Sequence, residues 1–234
     1  MPASFSSLHL RFDDDALERS FLADHCRRAV PVCRTMLLAG LGLTLAYLPF
    51  YSTISERLEP ADVLAVLNEY FAAMNQLIES HGGTVLEYIG DGVMAVFNAP
   101  NALPEHAAAA VACARETQQV MRRLNADWEA RALATLWQEQ GVAEIAVRIG
   151  LHSGEVVVGN IGGPEQMKYG VVGDVVNVAA RLEALNKPLG TSILVSAETA
   201  RRLPPELAVH LTDRGAHALK GRREAELVYS VSIP

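Results

Sequence analysis

A hairpin with an aspartate at its tip organises this sequence. Thr84 to Ile89 and Val93 to Phe97 are short β-prone runs separated by Gly90-Asp91-Gly92, the composition of a tight turn between antiparallel strands. Directly upstream, Val63, Leu64, Leu67, Tyr70, Phe71, Met74, Leu77 and Ile78 repeat at helical spacing. That helix starts at Pro60, which a first turn tolerates, and stops at Gly82-Gly83. A lone hairpin is barely stable in water, so the chain must supply further strands for it to join and a sheet face for the helix to cover.

The rest of the sequence provides them. Glu105 to about Gln140 is Ala-rich with a helical period, and an interruption or bend is expected near Asn125 to Trp128. Strands are expected at Ile145 to Leu151, Glu155 to Ile161 and Tyr169 to Val172, the last leading through Gly173-Asp174 into a helix from Val175 to Leu185. Further strands are read at Ser192 to Val195, Val209 to Thr212 and Leu227 to Val231, with a short helix at Ala197 to Leu203. No GxxxxGK[ST] loop occurs, and Gly40-Leu41-Gly42 lacks the third glycine and strand-turn-helix setting of a dinucleotide fingerprint.

Composition narrows the partners. A formal net charge of -7 over 234 residues, with no run of five or more Lys or Arg, argues against nucleic acid. Cys26, Cys33 and Cys113 have no CxxC spacing, so neither a disulfide framework nor a zinc site is read, and a reducing compartment fits. No signal-peptide layout opens the chain.

The run MLLAGLGLTLAYLPFY, from Met36 to Tyr51, stands apart. It is close to the ~20 residues of a spanning helix, at the short end of that range. Arginines before it and acids after it would put the N-terminus in the cytoplasm and all that follows outside. The run therefore reads either as a membrane helix or as a buried hydrophobic element.

Four stretches in order, ISERLEPADVLAVLNEYF, HGGTVLEYIGDGVMAVF, RIGLHSGEVVVGNIGG and YGVVGDVVNVAARLEALNK, with LKGR near the end, resemble the catalytic domain of class III adenylate/guanylate cyclases. The resemblance implies an α+β fold, a ferredoxin-like βαββαβ core, in three segments: polar residues 1–34, hydrophobic residues 35–53 and a cyclase domain over 54–234. It implies a head-to-tail dimer, with itself or another cyclase chain, and two nucleotide sites at the interface. The implied reaction closes ATP or GTP to the cyclic 3′,5′-monophosphate, releasing pyrophosphate, with Mg²⁺ or Mn²⁺. Such a domain works in the cytoplasm, free or attached to the inner face of the membrane.

Residue by residue, Asp91 matches the second metal-binding aspartate, and a hard oxygen ligand suits such cations. Asn177 and Arg181, four apart on one helix face, match the pair that orients the ribose and stabilises the transition state. Lys220 in LKGR resembles the lysine holding the terminal phosphates. Glu87 and Gly170 occupy the base-selecting positions. A carboxylate at 87 accepts from the N1–H and amino group of guanine, which leans towards GTP, while Gly170 is silent. His152 is given a structural role.

One departure is large. Counting back from ISER, the family strand FADIRGFTS falls on LAYLPFYST, and Tyr47 stands where the first metal-binding aspartate belongs. No carboxylate lies between Asp24 and Glu56. A two-ion site about 3.5–4 Å across would lose its bridging ligand. Leu43 to Tyr51 could replace the strand, but Pro49 cannot donate to a central ladder, so an incomplete first strand and a frustrated core are expected. Three readings follow: an active cyclase, an inactive module that dimerises with and regulates an intact cyclase, and a shortened chain that folds poorly.

Overall fold

The computed structural model describes residues 36–42, 60–139, 141–163, 166–219 and 224–233. Helix α1 (Pro60–Ser80) buries Tyr70, Met74, Leu77 and Ile78, one stripe of its surface. It stops where Gly82 takes a φ of 74°, a left-handed conformation that suits glycine at a helix end. Strands β2 (Gly83–Ile89) and β3 (Gly92–Phe97) form the expected hairpin around Gly90 and Asp91. Gly90 has a φ of 62° and Asp91 is not left-handed, the pattern of a type II′ turn, whose twist suits the strands.

Helix α2 (His106–Ala130) runs unbroken through Asn125 to Trp128, so the interruption expected there does not occur. The break comes later, at Ala132, whose φ is 58°, and the Trp128 carbonyl caps the turn by accepting from Leu133 and Ala134. A short α3 (Thr135–Gln138) follows, and Trp137 meets Trp128 edge-on at 5.6 Å.

Strand β4 (Arg148–Gly154) leads to β5 (Val157–Gly163) and β6 (Gln166–Val172), which among the described residues pair with each other alone as a two-stranded arm. Helix α4 (Asp174–Leu189), β7 (Ile193–Ser196), short helices α5 (Ala197–Ala200) and α6 (Pro205–Ala208), β8 (Leu211–His217) and β9 (Glu226–Val231) complete the order. The main sheet reads β2-β3-β1-β4-β7-β9-β8. Its first four strands have the antiparallel order of a ferredoxin-like βαββαβ unit; β7 then adds parallel to β4.

β1 (Met36–Gly42) is the strand that the sequence reading missed. These seven residues of the apolar run lie centrally, antiparallel to both β3 and β4, with Leu41 opposite Val93 and Ile149. For them the membrane-helix reading is corrected: a fully covered central strand is a continuous apolar run, as is a spanning helix, so periodicity could not separate the two. The first-strand position is filled by residues upstream of Leu43 to Tyr51, the segment expected there, which lies outside the described residues. Among the described residues no helix is long and apolar enough to cross a membrane.

The sheet carries apolar side chains to both faces. Val93, Ala95, Phe97, Ile193 and Val195 join α1, α2 and α3 in one cluster. On the other face Val96 packs with Val175 and Ala179, and Leu194 with Val178 and Leu182, all of α4. Glycine at 150 sets how closely α4 approaches. A Cβ there would stand 2.2 Å from the Ala179 carbonyl oxygen and 2.3 Å from the Glu183 nitrogen, inside any real contact.

Candidate active site

Asp91 is half-buried at the hairpin tip, held there by the turn that Gly90 permits. Its charge reaches the Tyr70 hydroxyl, which is buried with no hydrogen-bond partner among the described residues. Burial above all, then the charges of Asp91 and Tyr88, push the Tyr70 phenol far above its usual range. Beside the tip, β1 supplies no carboxylate, since Met36–Gly42 reads MLLAGLG. Among the described residues no group of three His, Cys, Asp or Glu could hold a metal ion. Among the described residues the tip therefore offers a hard cation one carboxylate, Asp91. Tyr47 and Lys220 lie outside the described residues.

Asn177 and Arg181 come together on α4 as their spacing demands. Asn177 is exposed; Arg181 is half-buried, its Nη1 4.0 Å from Asp174 Oδ1 and without a hydrogen bond among the described residues. The close crossing over Gly150 anchors this helix, and the Arg148–Glu183 ion pair fixes it further along, with Nε 3.3 Å from Oε1. Asn186 is fully buried and donates to the Ile149 carbonyl. These contacts hold α4 by its inner side and leave its Asn177 face outward.

Strand register shows how far Asp91 and Asn177 lie apart along the sheet. The hairpin tip adjoins Gly92, and β1 and β4 bring Gly42 and Arg148 to that same end of the sheet. The start of α4 lies at the other end, where Val175 fills the space beside Gly154. Asn177, two residues on from Val175, thus sits towards the end away from Asp91.

The two positions expected from the resemblance to select the base, Glu87 and Gly170, lie beside a relationship that the sequence did not reveal. Glu87 on β2 is ion-paired through Oε1 with Lys168 on β6, both side chains partly exposed. Gly170, two residues further along β6, is buried opposite Gly159, and a Cβ there would stand 3.0 Å from Ile161 Cδ1. Lys168 is far from Glu87 in the sequence, and only the folding of the arm onto β2 joins them.

His152 is buried, its Nδ1 2.7 Å from Ser196 Oγ, and Ser153 and Thr199 continue that buried chain of hydrogen bonds between β4 and α5. This network ties elements together behind the site.

Residues 42–232 match the model of the adenylate and guanylate cyclase catalytic domain. The chain belongs to this family. Adenylate cyclase 1 of Rhizobium meliloti is 36% identical over 181 residues, 77% of this chain and 26% of the relative. Adenylate cyclase of Anabaena cylindrica is 35% identical over 184 residues, 77% of this chain and 34% of the relative. The chain thus spans only about a quarter to a third of these two proteins. Among solved structures, the adenylyl cyclase CyaB of P. aeruginosa is similar with a TM-score of 0.68 and 27% identity, covering 86% of this chain and 95% of that one. The guanylyl cyclase Cya2 has a TM-score of 0.66 and 32% identity, covering 85% and 91%. The class III cyclase fold holds across both, so fold alone does not choose the purine.

Proposed function

We propose that this chain takes part in forming a cyclic nucleotide from ATP or GTP by giving one half of a site shared between two chains. The observation that carries this reading is the division of the site residues: Asp91 at one end of the sheet, Asn177 towards the other. A triphosphate touching both classes of group needs two molecules in head-to-tail contact. Apolar exposure supports a partner surface, because Val157 and Val172, paired across the arm, are 72% and 59% exposed, and Ile89 beside the hairpin tip is 60% exposed.

The halves are unequal. Asn177, Arg181 and Glu87 are present, so this chain can orient a ribose, meet developing charge on phosphate and contact a base. Among the described residues its metal-binding half has one carboxylate, Asp91, where two ions need a bridging pair. The chain therefore serves as the complementing subunit for a cyclase chain that carries both aspartates, on the cytoplasmic side where nucleoside triphosphates are available. Lys220 completes the phosphate contacts of that half.

The test mixes this chain with a cyclase catalytic domain that keeps both metal-binding aspartates but has lost its own asparagine and arginine, and follows cyclic nucleotide formation with Mn²⁺. Product is expected from the mixture, from neither chain alone, and not from a mixture made with Asn177→Ala or Arg181→Ala. Product from this chain alone that disappears in Asp91→Ala would overturn the division of labour.

A further inference from the structure

The ion pair between Glu87 and Lys168 changes what the base-facing end of the site can read. A free carboxylate offers two acceptors, which match the N1–H and 2-amino donors of guanine and leave the N1 acceptor of adenine without a donor. In this fold Lys168 Nζ occupies Oε1 of Glu87. Oε2 remains as an acceptor, and the ammonium has donors to spare beyond the one it gives to Glu87. An acceptor and a donor side by side match the 6-amino group and N1 of adenine, the complementarity an Asn or Gln amide shows towards that base. With Oε2 at the exocyclic 6-position and the ammonium at N1, guanine would set its O6 against the carboxylate and its N1–H against the ammonium, mismatched at both.

We infer that Lys168 is a specificity-determining residue that turns Glu87 from a guanine-accepting group into half of an adenine-reading pair. The inference rests on the reading above that Glu87 faces the purine. Three features support it. Lys168 lies on β6, which pairs with β5 from Gly163↔Gln166 to Val157↔Val172, so the arm's own ladder positions it. Gly170 has no side chain to add a donor or acceptor, and Ile161 Cδ1 already fills the space where one would begin. The two partners sit on different sheets, so the pair exists only while the arm is folded against β2.

The experiment measures binding and needs no turnover. The complementing mixture described above is titrated with ATP and with GTP in competition with a fluorescent nucleotide, using the parent chain, Lys168→Met, Lys168→Gln and Lys168→Met/Glu87→Ala. Two replacements of one partly exposed lysine guard against a fault peculiar to either variant. The parent is expected to favour ATP. Lys168→Met and Lys168→Gln should shift the ATP/GTP affinity ratio towards GTP by about tenfold or more, as expected where a polar site gains or loses its complement. The double variant should lose that gain for GTP. An unchanged ratio in both lysine variants, with binding intact, would overturn the role of Lys168 and leave the proposed function standing. Failure of the parent mixture to bind either nucleotide would overturn both.

Discussion

Arg148 of β4 and Glu183 of α4 are ion-paired across the seam that holds the Asn177 helix to the sheet, with 11% and 14% of their side chains exposed. Charges so far out of water depend on each other, and deleting one strands the other. Arg148→Met should therefore cost about 2–3 kcal/mol, near the lower limit for such pairs because neither partner is wholly dry. Adding Glu183→Leu should recover much of that. Urea midpoints at pH 7 with an unchanged denaturant slope would check it. A shift below about 0.5 kcal/mol in the single variant would mean that the pair does not anchor the helix.

Gly150 makes the same seam possible by another route. A methyl group at this position would collide with the backbone of Ala179 and Glu183, and backbone atoms on a rigid helix cannot swing aside as a side-chain end can. Gly150→Ala should destabilise the domain by about 3 kcal/mol or more, at the upper end for overpacking. It should also weaken complementation in the mixed-chain assay among molecules that remain folded, because α4 must lift to accommodate the group. Thermal unfolding beside that assay separates the two effects.

What the sequence made legible follows from how local the signals are. Gly90-Asp91-Gly92 announces a turn by composition, and Asn177 and Arg181 share a face by helical geometry, so both were readable without tertiary information. The arm was not: Val157–Gly163 and Gln166–Val172 read as strands, but their separation from the main sheet is a matter of packing. Ala132 hid the true break in the second helical region, since alanine carries no turn signal and its left-handed φ accompanies a turn closed by the Trp128 carbonyl, which accepts from Leu133 and Ala134. The Lys168–Glu87 pair had no local trace at all.

A titration should expose the contact between α1 and α2. Glu69 accepts from Arg131 Nη1 at 3.0 Å and from Trp128 Nε1 at 2.8 Å. The hydrogen bond from Arg131 first, then that from Trp128, hold its carboxyl below the ordinary range. A depressed acid adds stability that is present above the unfolded-state value of about 4.3 and lost as pH falls through the folded-state value. Glu69→Gln should thus be less stable than the parent at pH 7, and the gap should close below about pH 4. A gap that stays constant from pH 7 to pH 3 would show that the ionised form contributes nothing.

The position of β1 leads to a sharper experiment on the missing carboxylate. Counting back from ISER, the sequence leads one to expect Tyr47 at the place of the first metal ligand, whereas the sheet position beside the hairpin is filled by Met36–Gly42. Leu43 follows directly on the last residue of that strand, and Gly42 belongs to the end of the sheet that also carries Gly92 and, before it, Asp91. A carboxylate introduced at 43 should accordingly join Asp91 in binding a hard cation, and one introduced at 47 should not. The measurement is free Mn²⁺ by electron paramagnetic resonance. Leu43→Asp should bind an ion that the parent and Leu43→Asp/Asp91→Ala do not, while Tyr47→Asp stays at the parent level. The opposite result, binding by Tyr47→Asp alone, would mean that the downstream apolar segment takes the central position in solution. The chain would then regain a two-carboxylate centre by a single substitution at the aligned position, and its role as complementing subunit would rest on Tyr47.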